Sequence, residues 1–139
     1  MTQIDFYVLP DATPRGRALF VCRLAEKVFK LGQRSFVQLA TESEARELDE
    51  LMWTFHDRSF LPHALAAAGD DVPVLLGCGL EPAGDWHLLI NLTAAVPAFF
   101  SRFARVAEVV DATPEIRAQG RERFRFYKDR GYAVETHQM

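Results

Sequence analysis

Short aliphatic runs alternate with amphipathic helical patterns along this chain, and no other feature of the sequence restricts the fold as strongly. The first half predicts a strand at residues 4–9, a helix at 15–31, a strand at 35–40 and a helix from 41 to about 53. A strand that leads through a helix into another strand favours a parallel pair, because parallel strands need a long crossover connection.

The second half continues the alternation less regularly. Two dense aliphatic runs of strand length, 72–78 and 86–92, are separated by a turn and indicate central strands. A short helix at 96–103, a fifth strand at 105–110 and a helix from 114 to about 130 follow. This order predicts a Rossmann-like α/β domain of three layers, with a mostly parallel sheet and helices on both faces.

Length and composition set further bounds. With 139 residues, 49% of them hydrophobic, the chain suits a single domain over 1–139. Its formal net charge of −3 argues against a protein that binds nucleic acid over its whole surface. The sequence has neither a long apolar span nor a charged-then-apolar start, so we expect a cytoplasmic protein that does not enter a membrane.

The sequence motifs of nucleotide binding and nucleophilic catalysis are absent. The first strand-to-helix turn reads LPDATPRG in place of GxGxxG, and neither a GxxxxGK[ST] phosphate loop nor a GxSxG elbow occurs. The carboxylates of residues 42–50 fall on the outer face of a predicted helix, where solvation explains them. A Rossmann-like scaffold without this equipment favours a binding role over an enzymatic one.

Cysteine and histidine side chains offer no recognisable site. Cys22 and Cys78 are far apart, and we expect both to be buried, reduced thiols. The four histidines are scattered without cysteine or carboxylate partners at metal-ligand spacing. The sequence therefore predicts no metal, no cofactor and no catalytic residue.

Residues 51–63, LMWTFHDRSFLPH, place large aromatic side chains where no regular apolar period can bury all of them. A helix that ends near Trp53 is followed by a polar break at 56–59, and Phe60 then stands on a loop before Pro62. Such aromatics form either a small core cluster under a long loop or a surface for a partner. The residues alone leave both alternatives open.

The last predicted helix carries an excess of positive charge. Between residues 115 and 130 six basic residues stand against three acidic ones, which leaves +3 there and −6 over the rest of the chain. Helical spacing groups the following side chains on one side: Arg117, Arg121, Phe124, Arg125 and Lys128. Such a patch suits single-stranded nucleic acid or an acidic peptide that ends in an aromatic residue. Alternatively, the aromatics belong to the core and the basic residues complement the helix dipole.

Several segments, taken in order, resemble the chi subunit of bacterial DNA polymerase III. They are DFYVLP, LDELMWTF with SFLPH, LLINLT, FFSRFARVAEVVD and RERFRFYKDRGY, and they extend over nearly the whole chain. The resemblance implies a Rossmann-like domain without nucleotide activity. It also implies a noncatalytic accessory subunit of the clamp-loader complex, within a polymerase holoenzyme that replicates DNA.

The resemblance further implies partners. One side would bind the psi subunit through Trp53 and Phe60, a surface for which an iron-sulfur repair helicase competes in relatives. The other side would bind the acidic, phenylalanine-terminated tail of single-stranded DNA-binding protein (SSB) through Arg121, Phe124 and Arg125. Relatives often have tyrosine at the position of Phe124 and lysine at that of Arg125, so this chain lacks the tyrosine hydroxyl.

Helical spacing adds Lys128 to the tail-binding set. In this interpretation, contact with single-stranded DNA is indirect. The alternative from another class is a small nucleotide-dependent or hydrolytic enzyme on a Rossmann-like scaffold, which the missing phosphate loop disfavours. Direct binding of single strands by the basic helix is a third possibility, which the net negative charge disfavours.

Overall fold

A computed structural model describes residues 1–56, 60–66 and 71–139. Three residues of the polar break predicted from the sequence, Asp57, Arg58 and Ser59, lie outside the described residues. The strands and helices are β1 (Gln3–Val8), α1 (Pro14–Lys30), β2 (Ser35–Leu39), α2 (Glu42–Thr54), β3 (His63–Leu65), β4 (Val74–Cys78), β5 (Leu88–Asn91), β6 (Arg105–Val110), α3 (Pro114–Asp129) and β7 (Ala133–Gln138). A 3₁₀ turn at Phe100–Arg102 precedes β6.

The strands form one sheet in the order β3-β4-β2-β5-β6-β1-β7, and every neighbouring pair is parallel. The α/β prediction is confirmed. The two edge strands, β3 and β7, were not predicted. β3 has only three residues, and β7 reads AVETHQ with mostly exposed side chains, so neither shows the apolar run of a buried strand.

Helices α1 and α2 cover one face of the sheet. Each begins at a threonine cap: Thr13 Oγ1 accepts a hydrogen bond from Gly16 N at 3.2 Å, and Thr41 Oγ1 accepts one from Glu44 N at 3.1 Å. Their apolar stripes pack on the strands through buried side chains that include Val21, Cys22, Ala25, Leu48 and Met52. The stripes place α1 over β2 and β6, and α2 over β2, β4 and the edge strand β3.

Helix α3 covers the opposite face, which confirms the prediction of helices on both faces. Its Tyr127 is fully buried and packs edge-on against Phe6 of β1 and Phe100 of the 3₁₀ turn, with ring centroids 6.1 and 5.3 Å apart. An apolar core therefore lies on each side of the sheet.

A buried ionic network lies beneath α3. The Glu108 carboxylate is fully buried and accepts hydrogen bonds from Arg123 Nε at 2.9 Å, from the Tyr127 hydroxyl at 2.7 Å and from Asn91 Nδ2 at 3.1 Å. Burial raises the pKa of this carboxyl, although the Arg123 charge acts in the opposite direction. Arg123, counted from the sequence among the basic residues of this helix, is thus neutralised inside the core.

The two thiols differ in burial. Cys22 is fully buried, and burial raises the pKa of its thiol to about 12. Cys78 is only half-buried, so the expectation of two buried thiols is wrong for this residue. Cys78 is more exposed than Cys22 because it is the last residue of β4, at the end of the strand. No helix in the described part of the chain has the length and apolar character to cross a membrane.

Candidate interaction surfaces

An exposed aromatic pair lies at the end of α2. The side chains of Trp53 and Phe60 are 54% and 71% exposed, and their ring centroids lie 6.2 Å apart. The adjacent Leu61 is buried, so the loop is anchored while both rings face solvent. For these two residues the core-cluster alternative is wrong, and the predicted exposure is confirmed. We call them the Trp53–Phe60 surface.

His63 fixes this surface to the sheet. It is the first residue of β3, and its ring centroid lies 4.5 Å from that of Trp53. The His63 Nδ1 atom is 2.6 Å from Leu61 O, and Nε2 is 3.1 Å from Asp49 O on α2. Asp49 and Trp53 are one helical turn apart, so both face His63 from the same side of α2. The exposed rings therefore stand on a hydrogen-bonded base.

The basic side chains predicted for tail binding surround Phe124 on α3. Arg121, Arg125 and Lys128 are exposed, and Lys128 Nζ lies 5.9 Å from the centre of the Phe124 ring. Phe124 itself is half-buried and packs edge-on against Phe6 at 5.4 Å. The structure thus brings the four predicted residues together, with Phe124 shared between the core and the surface.

The basic side chains around Phe124 differ in how free they are to bind a partner's carboxylates. Arg125 Nη1 lies 3.3 Å from Glu122 Oε1 in an exposed pair, which contributes little because solvent screens it. Within the described residues, no carboxylate lies within ion-pair distance of Arg121 or Lys128. Arg117 lies on the same side of α3 as predicted, and its guanidinium also donates to Asp111 O at 3.2 Å and to Leu9 O at 3.3 Å, which ties α3 to the residues that follow β6 and β1.

A small pocket of about 210 Å³ adjoins Arg121 and Phe124, and we call it the α3–β7 pocket. Phe6 and Val110 are among its apolar lining residues, and Thr136 and Gln138 of β7 form another part of the wall. At Gly120 a Cβ would lie 3.1 Å from Val110 Cγ2, so the glycine lets α3 approach β6 closely. The sequence did not predict this pocket, because β7 was not recognised.

A larger groove of about 580 Å³ lies at the carboxyl ends of β2, β5 and β6, where Rossmann-like folds bind nucleotides. Glu44 and Glu47 of α2 line it, and the first turn of that helix also carries Glu42. The N-terminus of a helix normally attracts phosphate, because its backbone N–H groups and its dipole are positive there. Carboxylates at this position repel phosphate. Arg15 and Arg17 line the α1 side of the same groove, so its lining carries charges of both signs.

The model of the family described as "DNA polymerase III chi subunit, HolC" matches residues 1–135. The chain belongs to this family. The DNA polymerase III subunit chi of Pseudomonas aeruginosa is 43% identical over 139 residues, covering 100% of this chain and 98% of the relative. Its Escherichia coli counterpart is 28% identical, with 98% and 97% covered. Membership makes the chain a replication accessory subunit of a polymerase holoenzyme, as the resemblance implied.

The fold is similar to that of a solved structure. The crystal structure of T4 UvsW superposes with a TM-score of 0.69 at 12% identity, over 99% of this chain and 41% of UvsW. At this identity the likeness concerns the fold alone. It agrees with the α/β Rossmann-like architecture of the chi-family chain.

Proposed function

We propose that this chain is a noncatalytic adaptor of the clamp-loader complex that joins the psi subunit to the acidic C-terminal tail of SSB. The observation that carries the proposal is the placement of two unlike surfaces at opposite edges of the sheet. The Trp53–Phe60 surface adjoins β3, and the α3–β7 pocket adjoins β7. Six strand spacings separate these edges by roughly 29 Å, so two partners have room to bind together.

The Trp53–Phe60 surface has the chemistry of a protein interface. Tryptophan and phenylalanine are enriched at interface centres, and a few such anchors account for most of the binding free energy. His63 and Leu61 hold the two rings in place before a partner arrives, which lowers the entropy cost of binding. The psi subunit is the partner we propose, and a repair helicase would compete for the same anchors.

We expect Phe60→Ala to weaken psi binding by about 2 kcal/mol or more, roughly 30-fold, while the melting temperature barely changes. Leu80→Ala is the matched control, because Leu80 is 63% exposed and lies beyond the opposite end of the strands, after β4. Titration calorimetry with purified psi and thermal unfolding measure both quantities. Loss of stability by several kcal/mol with intact psi binding would make Phe60 a core residue and contradict the proposal.

The α3–β7 pocket and its basic rim match the tail of SSB. Its volume of about 210 Å³ suits one aromatic ring, since pockets for larger, drug-sized ligands measure about 300–1,000 Å³. Around it Arg121, Arg125 and Lys128 can donate to tail carboxylates, and each charge-assisted hydrogen bond contributes about 1.5–3 kcal/mol. The terminal phenylalanine would pack beside Phe124 while the acidic residues meet the basic side chains. Phe124 supplies the packing without the tyrosine hydroxyl.

Two variants separate charge from packing at this site. Arg125→Glu should weaken binding of a tail peptide at least ~10-fold and flatten its dependence on salt, because a pair is lost and repulsion is added. Phe124→Ala should weaken binding with the salt slope nearly unchanged. Arg46→Glu on the exposed face of α2 makes the same charge change elsewhere and serves as the control.

Parallel titrations with single-stranded DNA and ATP test the alternatives. We expect no saturable heat with ATP and weak binding of naked DNA at physiological salt. If Arg125→Glu and Phe124→Ala kept tail affinity but lost affinity for DNA, α3 would be a nucleic-acid site. Micromolar ATP binding that disappears on substitution in the groove at the strand ends would favour the enzyme alternative.

A further inference from the structure

Three potential metal ligands converge on the sheet face beside α1, whereas the α3–β7 pocket lies on the opposite face of β1 and β7. Strand register places Asp5 of β1 opposite Glu135 of β7, and His137 follows two residues later on the same face. Among the described residues, these three form the one group of histidine, cysteine or acidic side chains whose ligand atoms all lie within 4.8 Å of one another. Asp5 and His137 are 132 residues apart in sequence, so no spacing motif could reveal the group.

The distances within the group are those of a compact metal site. His137 Nε2 lies 3.1 Å from Asp5 Oδ1 and 3.9 Å from Glu135 Oε2. Two ligands of a tetrahedral zinc ion, each about 2.0–2.2 Å from the metal, are about 3.3–3.6 Å apart. The observed separations lie on either side of this value. Rotation of the exposed Glu135 side chain would bring its carboxylate closer to His137 Nε2.

Neighbouring residues orient two of the ligands. Arg105 Nη2 donates to Asp5 Oδ2 at 2.6 Å and Nε donates to the same oxygen at 3.2 Å, which leaves Oδ1 directed at His137. The Tyr7 ring stacks on the His137 imidazole at 4.9 Å with an interplanar angle of 18°. Outer contacts of this kind fix the direction of metal ligands in known sites. The buried carboxylate and the stacked imidazole are thus held in place before any ion binds.

We propose that Asp5, Glu135 and His137 form a binding site for a divalent transition metal, with Zn²⁺ as the preferred ion. One imidazole nitrogen and two carboxylate oxygens suit zinc better than magnesium or calcium, which take oxygen ligands. The exposed sides of Glu135 and His137 leave a fourth position for water. Because the ligands come from β1 and β7, the bound ion clips the edge strand to its single neighbour in the sheet.

Titration of the tag-free chain with zinc chloride, in a buffer that contains no chelating thiol, tests the site. We expect one equivalent to bind saturably and to raise the melting temperature. His137→Ala should weaken binding at least ~10-fold and remove the thermal shift, since ligands and their supports typically contribute 10- to 100-fold in affinity. Glu135→Gln is a second variant that perturbs the fold less, because Glu135 is exposed.

His87→Ala and Cys78→Ser are the controls, since both residues are potential zinc ligands outside the group. Each should bind zinc as the unaltered chain does. The proposal is overturned if zinc fails to bind saturably in the millimolar range, or if His137→Ala and Glu135→Gln both bind it normally. It is equally overturned if Cys78→Ser removes the binding.

Discussion

The buried pair of Glu108 and Arg123 allows a sharp prediction about stability. Replacing Arg123 by methionine keeps much of the side-chain volume but removes the charge that faces the carboxylate at 2.9 Å. Glu108 is fully buried and cannot reach solvent, so its charge would lose the one ion-pair partner that it has among the described residues. The contribution of Arg123 to stability should therefore be large, although the residue takes part in no partner surface proposed for the chain.

The magnitude follows from the contacts that remain. Breaking a buried ion pair on one side typically costs about 3–5 kcal/mol. The Tyr127 hydroxyl and Asn91 Nδ2 still donate to Glu108 after the substitution, so we expect a value near the lower end, about 3 kcal/mol. Domains of this kind are stable by only about 5–15 kcal/mol, so the loss is readily measured.

The loss should depend on pH. Burial already raises the pKa of Glu108 above its ordinary value of 4.5, and removal of Arg123 takes away the charge that opposes this rise. The folded state then binds the Glu108 proton more tightly than the unfolded chain does. Stability conferred by that proton is present below the ordinary pKa and is lost as the pH rises through the raised one. The penalty of Arg123→Met should thus be smaller in acid than at neutral pH.

Urea unfolding at neutral and mildly acidic pH measures both effects, with the slope against denaturant as a check that the unfolded state is unchanged. The double variant Arg123→Met with Glu108→Gln should recover part of the loss, because no charge is then buried. A loss below about 1 kcal/mol for Arg123→Met, or a penalty that grows in acid, would refute this account.

Two further predictions concern α1, α2 and α3. Thr41→Ala should lower the free energy of unfolding by about 1 kcal/mol, because it removes the cap on Glu44 N. Thr113→Ala is the control and should change this free energy little, since the Thr113 side chain makes no cap hydrogen bond. Equal losses for the two variants in urea unfolding would contradict the prediction. At mildly alkaline pH Cys78 should react with a thiol reagent while Cys22 stays unmodified until the protein unfolds. Labelling of Cys22 in the folded chain, located by mass spectrometry, would show that α1 opens.

The fold was largely predictable because its central strands are apolar on both faces and its main helices begin with clear caps. The edge strands were not, since β3 and β7 have one neighbour each and little need for apolar residues. Their absence from the prediction also hid the α3–β7 pocket and the partners of Asp5. The pattern of apolar residues within a segment shows which of its faces is buried. It does not show which distant segment pairs with the edge of a sheet.

Among the candidate site residues, exposure was predictable where the pattern left aromatics unplaced, as at Trp53 and Phe60. The basic helix was harder. In the sequence, Arg123 cannot be told from the other basic residues of the run RERFRFYKDR. It is buried because it forms an ion pair with Glu108 of β6. A signal was present: Asn91 and Glu108 are polar residues within otherwise aliphatic strands, which suggests a buried polar partner.

The place of β1 in the sheet has a consequence for synthesis on the ribosome. Among the described strands β1 pairs with β6 and β7 alone, and Gln3 lies beside Arg105 and Ala133. At about 5–20 residues per second, the first strand to be made stays unpaired for roughly 5–20 s before β6 is made. A nascent chain therefore keeps the backbone N–H and C=O groups of β1 without their strand partners during most of its elongation. A chain truncated ahead of β6 would keep this strand edge unpaired and would be prone to aggregate.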